Sequence, residues 1–309
     1  MSKNRPLVTI SSAFYNTGSL ILDMLKSVFA QSFSDWELLL IDDGSTDDTL
    51  NIVKTVEDPR IRIYRNGENK GRAYSLNRIT SLARGKYIAR MDSDDLCSPT
   101  RIEKQVQLLE SNPCLDAVSA GLIYLDKHDN PTGDSVGPTE HDDICDTPWR
   151  TFKLAHGALM AKKEFFNKTP YCENIPFAVD YNLFLRSHEY FRFGKIPEPL
   201  YYYRLDNSFK LKKQFMARYY SAAFLYKYFS PRLGHIKAIR YAGLQYLKFV
   251  GTTALFLTGQ RSRLMARRSK PLTSEKLDFY KNEVEYIKSF KLPVGLDNSS
   301  SEYIKKDKI

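Results

Sequence analysis

The sequence predicts an α/β protein: a mostly parallel, doubly wound sheet flanked by helices, with a basic helical extension at the C-terminus. Three observations carry this. Short apolar, β-rich runs alternate with segments of helical periodicity from residue 6 to about 112. The run DWELLLID (35–42) is almost continuously apolar, as a strand covered on both faces requires. Each strand is followed at once by a polar cluster, and open parallel sheets bind ligands at the C-terminal ends of their strands.

The elements follow in order. PLVTISSAF (6–14) is the first strand and breaks at YNTGS. Ser19 is placed to cap LILDMLKSVFAQS, whose apolar residues have helical spacing. After DWELLLID, Ser45 and Asp48 form a capping-box pattern that starts a second helix. RIRIY (60–64) is a third strand, and NKGRAYSLNRITSLAR is a helix ended by Gly85. KYIARM is the fourth strand, and Pro99 opens the helix TRIEKQVQLLESN.

Beyond this the alternation loosens. CLDAVSAGLIYL adds a strand, and KHDNPTGDSVGPTEHDD reads as a loop. LAHGALMAKKEFF is a strand leading into a helix, FAVDYNLFLRSHEY is a helix, and GKIPEPLYYYRL is extended. The reading gives an α/β domain over 1–208 and a basic helical extension over 209–309.

Composition bounds the partners. The net charge is +10, yet residues 205–270 hold fourteen Lys/Arg against one acid, Asp206. Basicity confined to one region favours a patch with an anionic partner. No nucleic-acid-binding motif accompanies it, so no nucleic acid is expected. The mix of Lys/Arg with Tyr, Phe and Leu over 210–270 points to peripheral contact with an anionic membrane, or to a helical subdomain packed on the catalytic domain. No stretch approaches the ~20 apolar residues that cross a bilayer, and the N-terminus lacks a signal-peptide core. Cys97, Cys114, Cys145 and Cys172 match no zinc or CxxC spacing, which implies free thiols in a reducing compartment.

Four polar clusters fall at strand ends: 13–16, 42–45, 69–72 and 92–95. The last, Asp92-Ser93-Asp94-Asp95, crowds three carboxylates at the end of a buried strand. A hard divalent cation, Mn²⁺ or Mg²⁺, held alongside phosphates would offset their repulsion. A solvated turn that caps the next helix through Asp95 or Ser98 is the competing explanation. An acid-rich helix cap competes likewise for Asp42–Ser45, and lone His156 reads as structural. No P-loop, GxGxxG or GxSxG motif occurs.

VTISSAFYN, QSFSDWELLLIDDGSTDDT, ENKGRAYSLN, GKYIARMDSDDLCSP and VDYNLFLR, in this order, resemble the motifs of family 2 glycosyltransferases of the GT-A (Rossmann-like) fold. The similarity runs over about residues 6–208, including YYYRLDNS. It implies an inverting hexosyltransferase. Such an enzyme moves sugar from a nucleotide-diphospho-sugar, usually a UDP-sugar, to a hydroxyl with Mn²⁺ or Mg²⁺ bound. By the resemblance, Ala13, Phe14 and Tyr15 contact the nucleobase, Asp43 accepts a hydrogen bond from the uracil, and Arg72 packs on the base. Asp92 and Ser93 lie on the nucleotide side, Asp94 binds the metal, and Asp180 is the general base. A first-turn acid favoured by the helix dipole is the plain alternative for Asp180.

The chain departs from the family pattern at Ala13, Leu76, Val179 and Asp206. Val179 removes an acid that helps recognise the acceptor, and Asp206 replaces a His that can serve the metal. The implied setting is cytoplasmic, on the inner face of the membrane. There the enzyme would build surface polysaccharide (O-antigen, capsule or similar) on an acceptor carried by a polyprenyl diphosphate. A nucleotidyltransferase and a non-catalytic nucleotide-sugar or lipid-binding protein are the alternatives. The first usually carries a basic Gly-rich loop after its first strand, and SSAFYNTGS lacks the basic residue.

Overall fold

Parallel pairing starts with β1 (Val8–Phe14) between β2 (Trp36–Asp42) and β4 (Tyr87–Arg90), with β3 (Ile61–Arg65) outside β2. The computed structural model describes residues 5–204, 211–258 and 269–293. The nine-stranded sheet continues through β8 (Met160–Lys162), β6 (Ala117–Leu125), β9 (Phe193–Arg204) and β5 (Leu96–Cys97), with β7 (Pro131–Ser135) paired to β6. β8 runs antiparallel to both β4 and β6, whereas β6 and β9 are parallel.

Two cores explain the continuous apolar run in β2. Leu38 and Leu40 point into one, with α1 (Leu20–Phe29), α2 (Thr49–Lys54) and α4 (Arg101–Ser111). Leu39 and Ile41 point into the other, with α3 (Arg72–Leu82), α6 (Lys163–Lys168) and α7 (Val179–Ser187). Side chains alternate across a strand, so a doubly covered strand must be apolar at every position.

Over 211–258 the basic segment is helical. α8 (Leu211–Leu233) and α9 (His235–Leu257) form a hairpin whose turn residue, Gly234, takes φ 81°. Leu225, Phe229 and Ala238 anchor it in the second core beside α7. α10 (Ser274–Ser289) returns to the sheet and buries Tyr280, Val284 and Ile287 against Leu96, Ile123 and Tyr202. The run 261–268 and Asp206 lie outside the described residues.

Four local expectations are corrected. Ser45 does not cap a helix with Asp48: its hydroxyl accepts from the Asn16 N–H at 3.1 Å, α2 begins at Thr49, and Asp47 accepts from Thr49. Gly85 is no helix cap either. α3 ends at Leu82, and a Cβ on Gly85 would stand 2.4 Å from the Thr9 nitrogen, so glycine lets two backbones touch. The polar stretch after β6 is not all loop. It holds β7, which pairs along the β6 edge, and the short helix α5 (His141–Ile144). Asp95 caps nothing, because its oxygens face β9, as described below.

Gly85→Ala is expected to destabilise the fold by about 1–3 kcal/mol, because backbone atoms of β1 cannot yield to a methyl group. Thermal denaturation checks this. An unchanged melting temperature would refute the close approach.

Candidate active site

The four polar clusters meet at one edge of the sheet. Asn16 reaches the β2 turn through Ser45 and accepts from the Thr46 N–H at 2.9 Å. Asp43 is buried and binds the 66–71 loop, accepting from Asn66 Nδ2 at 2.6 Å and from the N–H groups of Lys70 and Gly71 at 3.0 Å each. That loop delivers Arg72 to the start of α3. Gly44 takes φ 80° beneath it, and a Cβ there would lie 2.5 Å from the Glu68 carbonyl carbon. Thr17 Oγ1 and Ser93 Oγ are 2.8 Å apart, joining the first cluster to the last.

The three acids of the last cluster have different environments. Asp92 Oδ1 takes Arg72 Nη2 at 2.7 Å and Arg90 Nη2 at 2.8 Å. Burial opposes its charge, but Arg72 and then Arg90 outweigh this and hold its pKa below the usual carboxylate range. In turn Asp92, against burial and with help from Asp180, raises the pKa of Arg72. Asp95 is buried, accepting from the Tyr201 hydroxyl and the Arg204 N–H, both at 2.9 Å. Burial, Asp94 and Asp92 push its pKa well up.

Asp94 lies between them. Burial and then Asp92 raise its pKa, and no side chain donates to it among the described residues. It is therefore the acid of this turn with unmet demand for a cation. No group of three or more His, Cys, Asp or Glu side chains that could hold a metal exists among the described residues. One carboxylate completed by water and phosphate oxygens is nevertheless an ordinary environment for Mg²⁺ or Mn²⁺, so the residues present fit such an ion.

Residues outside the expected set support the turn. The Tyr201 hydroxyl accepts from the Asp92 N–H at 3.1 Å while donating to Asp95, and Arg204 Nη1 donates to the Asp94 carbonyl at 2.7 Å. Buried Arg101 donates to the Arg90 carbonyl at 2.7 Å. Gly157 leaves room for both neighbours: a Cβ there would meet Tyr201 Oη at 2.5 Å and Asp92 Oδ2 at 3.0 Å. Tyr201 and Arg204 lie in YYYRLDNS, the one stretch of the sequence that signalled these supports.

Ala13, Phe14, Tyr15, Asp43, Arg72, Asp92, Ser93 and Asp94 all line one cleft of about 410 Å³. The Phe14 ring belongs to the core, so Tyr15, which is exposed, offers the ring available to a ligand. Asp180 lies outside this cleft, exposed in the first turn of α7 after Ala178, which takes φ 55°. It lines an adjoining cavity of about 540 Å³ that shares Arg72, Tyr203 and Lys213 with the first. His156 is structural. It is buried 2.8 Å from the Tyr171 hydroxyl, and burial, then Arg90, hold its pKa well below normal.

Comparisons agree with this architecture. The family model "Glycosyl transferase family 2" matches residues 9–168. An uncharacterized glycosyltransferase of Haemophilus influenzae is 32% identical over 218 residues, 67% of this chain and 68% of that protein. EpsE of Bacillus subtilis, named as a glycosyltransferase, is 41% identical over 125 residues, 40% of this chain and 45% of its own length. The UDP-Glc:alpha-D-GlcNAc-diphosphoundecaprenol beta-1,3-glucosyltransferase WfaP of Escherichia coli is 34% identical over 134 residues, 43% of this chain and 53% of WfaP. The chain thus spans about half the length of the last two.

Among solved structures, S. aureus TarS 1–349 in complex with UDP-GlcNAc superposes with TM-score 0.57 at 15% identity, covering 91% of this chain and 80% of that one. The mannosyltransferase PcManGT of Pyrobaculum calidifontis, with GDP-Man and Mn²⁺, gives TM-score 0.55 at 18% identity, covering 92% and 86%. At these identities the likeness is one of fold.

Tyr201→Phe is expected to cost about 1–3 kcal/mol, because Asp95 and the Asp92 N–H both lose a buried partner. Chemical denaturation measures it, and a double-mutant cycle with Asp95→Asn should show clear non-additivity. Additive costs would mean that Tyr201 and Asp95 do not act together.

Proposed function

The chain belongs to the family 2 glycosyltransferases, and from that premise we propose an inverting transfer of sugar from a UDP-sugar to a hydroxyl of a glycan acceptor. The observation that carries this is the pair of adjoining clefts. One gathers every residue expected at the nucleotide, the other holds Asp180, and Arg72, Tyr203 and Lys213 border both.

In this reading Tyr15 offers its ring to the base, and Asp43 keeps a lone pair for it beside the bonds that hold the 66–71 loop. Arg72 and Arg90 keep Asp92 ionised and oriented on the nucleotide side. Asp94 would hold Mn²⁺ or Mg²⁺, which when bound neutralises charge on the departing diphosphate. Asp180 takes the proton from the acceptor hydroxyl, and the oxygen attacks the anomeric carbon from the face opposite the leaving group. One displacement inverts the centre, so an α-linked donor yields a β-linkage.

We also propose residues 1–208 as the catalytic domain and a peripheral site of action on the inner face of the membrane. The acceptor is then polyprenyl-diphosphate-linked and belongs to surface polysaccharide. The diphosphoundecaprenol in the printed name of WfaP supports this. So does the outer face of α9, where Ile236, Ile239, Leu247, Val250 and Leu257 stand exposed at helical spacing with Lys237 and Arg240 beside them. No described helix is long and apolar enough to cross a membrane.

Asp180→Asn is expected to lower kcat by about 10²–10⁴-fold while UDP affinity holds. Steady-state kinetics with calorimetry read both, and full turnover in the variant would remove Asp180 as base. Asp94→Ala should abolish the Mn²⁺-dependent part of UDP binding. Vesicles containing anionic lipid should co-sediment wild-type protein but not the double variant Ile239→Glu/Leu247→Glu. Equal sedimentation would refute the α9 contact.

A further inference from the structure

The 540 Å³ cavity beside Asp180 has a wall that the catalytic sheet does not supply. α8 contributes Lys213, Gln214 and Arg218, α9 contributes Gln245, and the segment before β8 contributes Arg150 and Phe152. This wall is held in place. Gln245 is buried, donating to the Trp149 carbonyl at 3.3 Å and accepting from Arg218 Nη1 at 3.2 Å. Trp149 stacks on Tyr241 of α9, with ring centroids 5.0 Å apart and planes inclined by 13°. Lys248 donates to the Arg150 carbonyl, and the Tyr181 hydroxyl donates to the Pro148 carbonyl at 2.5 Å.

The charge of this wall is out of proportion to what a neutral sugar needs. Arg72, Arg150, Lys213 and Arg218 line the cavity against one carboxylate, Asp180. Arg72 is spoken for by Asp92. Among the described residues no carboxylate pairs with Arg150, Lys213 or Lys248. Burial, then Arg218 and Arg150, push the Lys248 pKa down to about 8. Neutral glycan rings are satisfied by aromatic faces and uncharged hydrogen-bonding groups. Converging cations around a concave site instead raise the local concentration of an anion and bind it through charge-assisted hydrogen bonds.

We propose that this cavity is a subsite for an anionic group of the acceptor, a sugar-linked phosphate or a uronate carboxylate, held by Arg150 and Lys213 with Arg218. The α8–α9 hairpin is then the element that selects the acceptor by its charge. The word acceptor rests on the transferase reading; the binding of an anion does not.

The full-length protein is saturated with UDP and Mg²⁺, so that the nucleotide cleft is filled, and then titrated by calorimetry and thermal shift. The probes are glucose 1-phosphate, glucuronate and glucose. At least one anionic sugar is expected to bind well above glucose. The double variant Arg150→Gln/Lys213→Gln should weaken it by about tenfold, the scale of one charge-assisted hydrogen bond. Arg150→Gln alone should leave UDP affinity unchanged, since Arg150 does not border the nucleotide cleft. Both side chains are exposed, so the unliganded melting temperature should hold and confirm a folded variant.

Preference for glucose 1-phosphate identifies a phosphate-bearing acceptor, and preference for glucuronate identifies an acidic glycan. Equal binding of all three sugars, or wild-type affinity in the double variant, overturns the proposal. Failure of UDP to bind overturns the UDP-donor reading instead, and the subsite is then read by Arg150→Gln alone, because Arg150 does not border the nucleotide cleft.

Discussion

Arg204 closes the last strand of the sheet, and all three nitrogens of its guanidinium are committed. Nε and Nη2 grip Asp129, Nη2 also reaches Asp23 at 2.8 Å, and Nη1 holds the Asp94 carbonyl. Burying an arginine costs free energy unless its charge is balanced, and here Asp129 and Asp23 balance it. Lys288 of α10 joins the same two acids from the other side. The main-chain N–H of Arg204 meanwhile bonds Asp95. The acidic turn is therefore fastened to α1, to the turn before β7 and to the last helix through one residue. Its three carboxylates stay together because the charge around them is organised by their neighbours rather than by the turn itself.

From that fixed turn the two clefts take different characters. On one side Asp92 is neutralised by arginines and Asp94 is left with demand for a cation, so the cleft suits a ligand arriving with its own metal and phosphates. On the other side cations exceed acids, and the excess comes from Lys213 and Arg218 of α8 and from Arg150 before β8. Arg72 and Lys213 lie on the border and belong to both. The electrostatic gradient across that border is a property of the joined parts and of neither alone.

Much of this was legible in the sequence because the relevant rules are local. The continuous run of β2 announces a strand with two covered faces, as Leu38 and Leu39 confirm by entering different cores. Polar clusters directly after apolar strands lie at one edge of the sheet, and Asp43, Arg72 and Asp92 do meet there in one cleft. What escaped is long-range. The partners of Asp95 lie 106 and 109 residues away, so the local choice between helix cap and turn missed both. Gly85 resembles a helix cap until β1 is placed against it. PTGDS has weak strand character, and it becomes β7 because the β6 edge is free and α10 engages it, with Lys276 bonding Asp134 at 2.7 Å. The cationic wall needed the fold of the hairpin, since charge counting locates a basic region but not the surface that it faces.

Gly157 has a consequence of another kind. It follows the four parallel strands β1–β4 in the chain, yet the atoms it must avoid belong to Asp92 and Tyr201. In the proposed reading the donor site and the acceptor site come from different stretches of the chain. The seam between those stretches is a contact in which a side chain larger than hydrogen has no room. A hybrid enzyme that took this half from a relative would keep the contact only if glycine again stood opposite Asp92. The boundary for recombination is therefore set by van der Waals radii around one backbone position, in the turn just before β8.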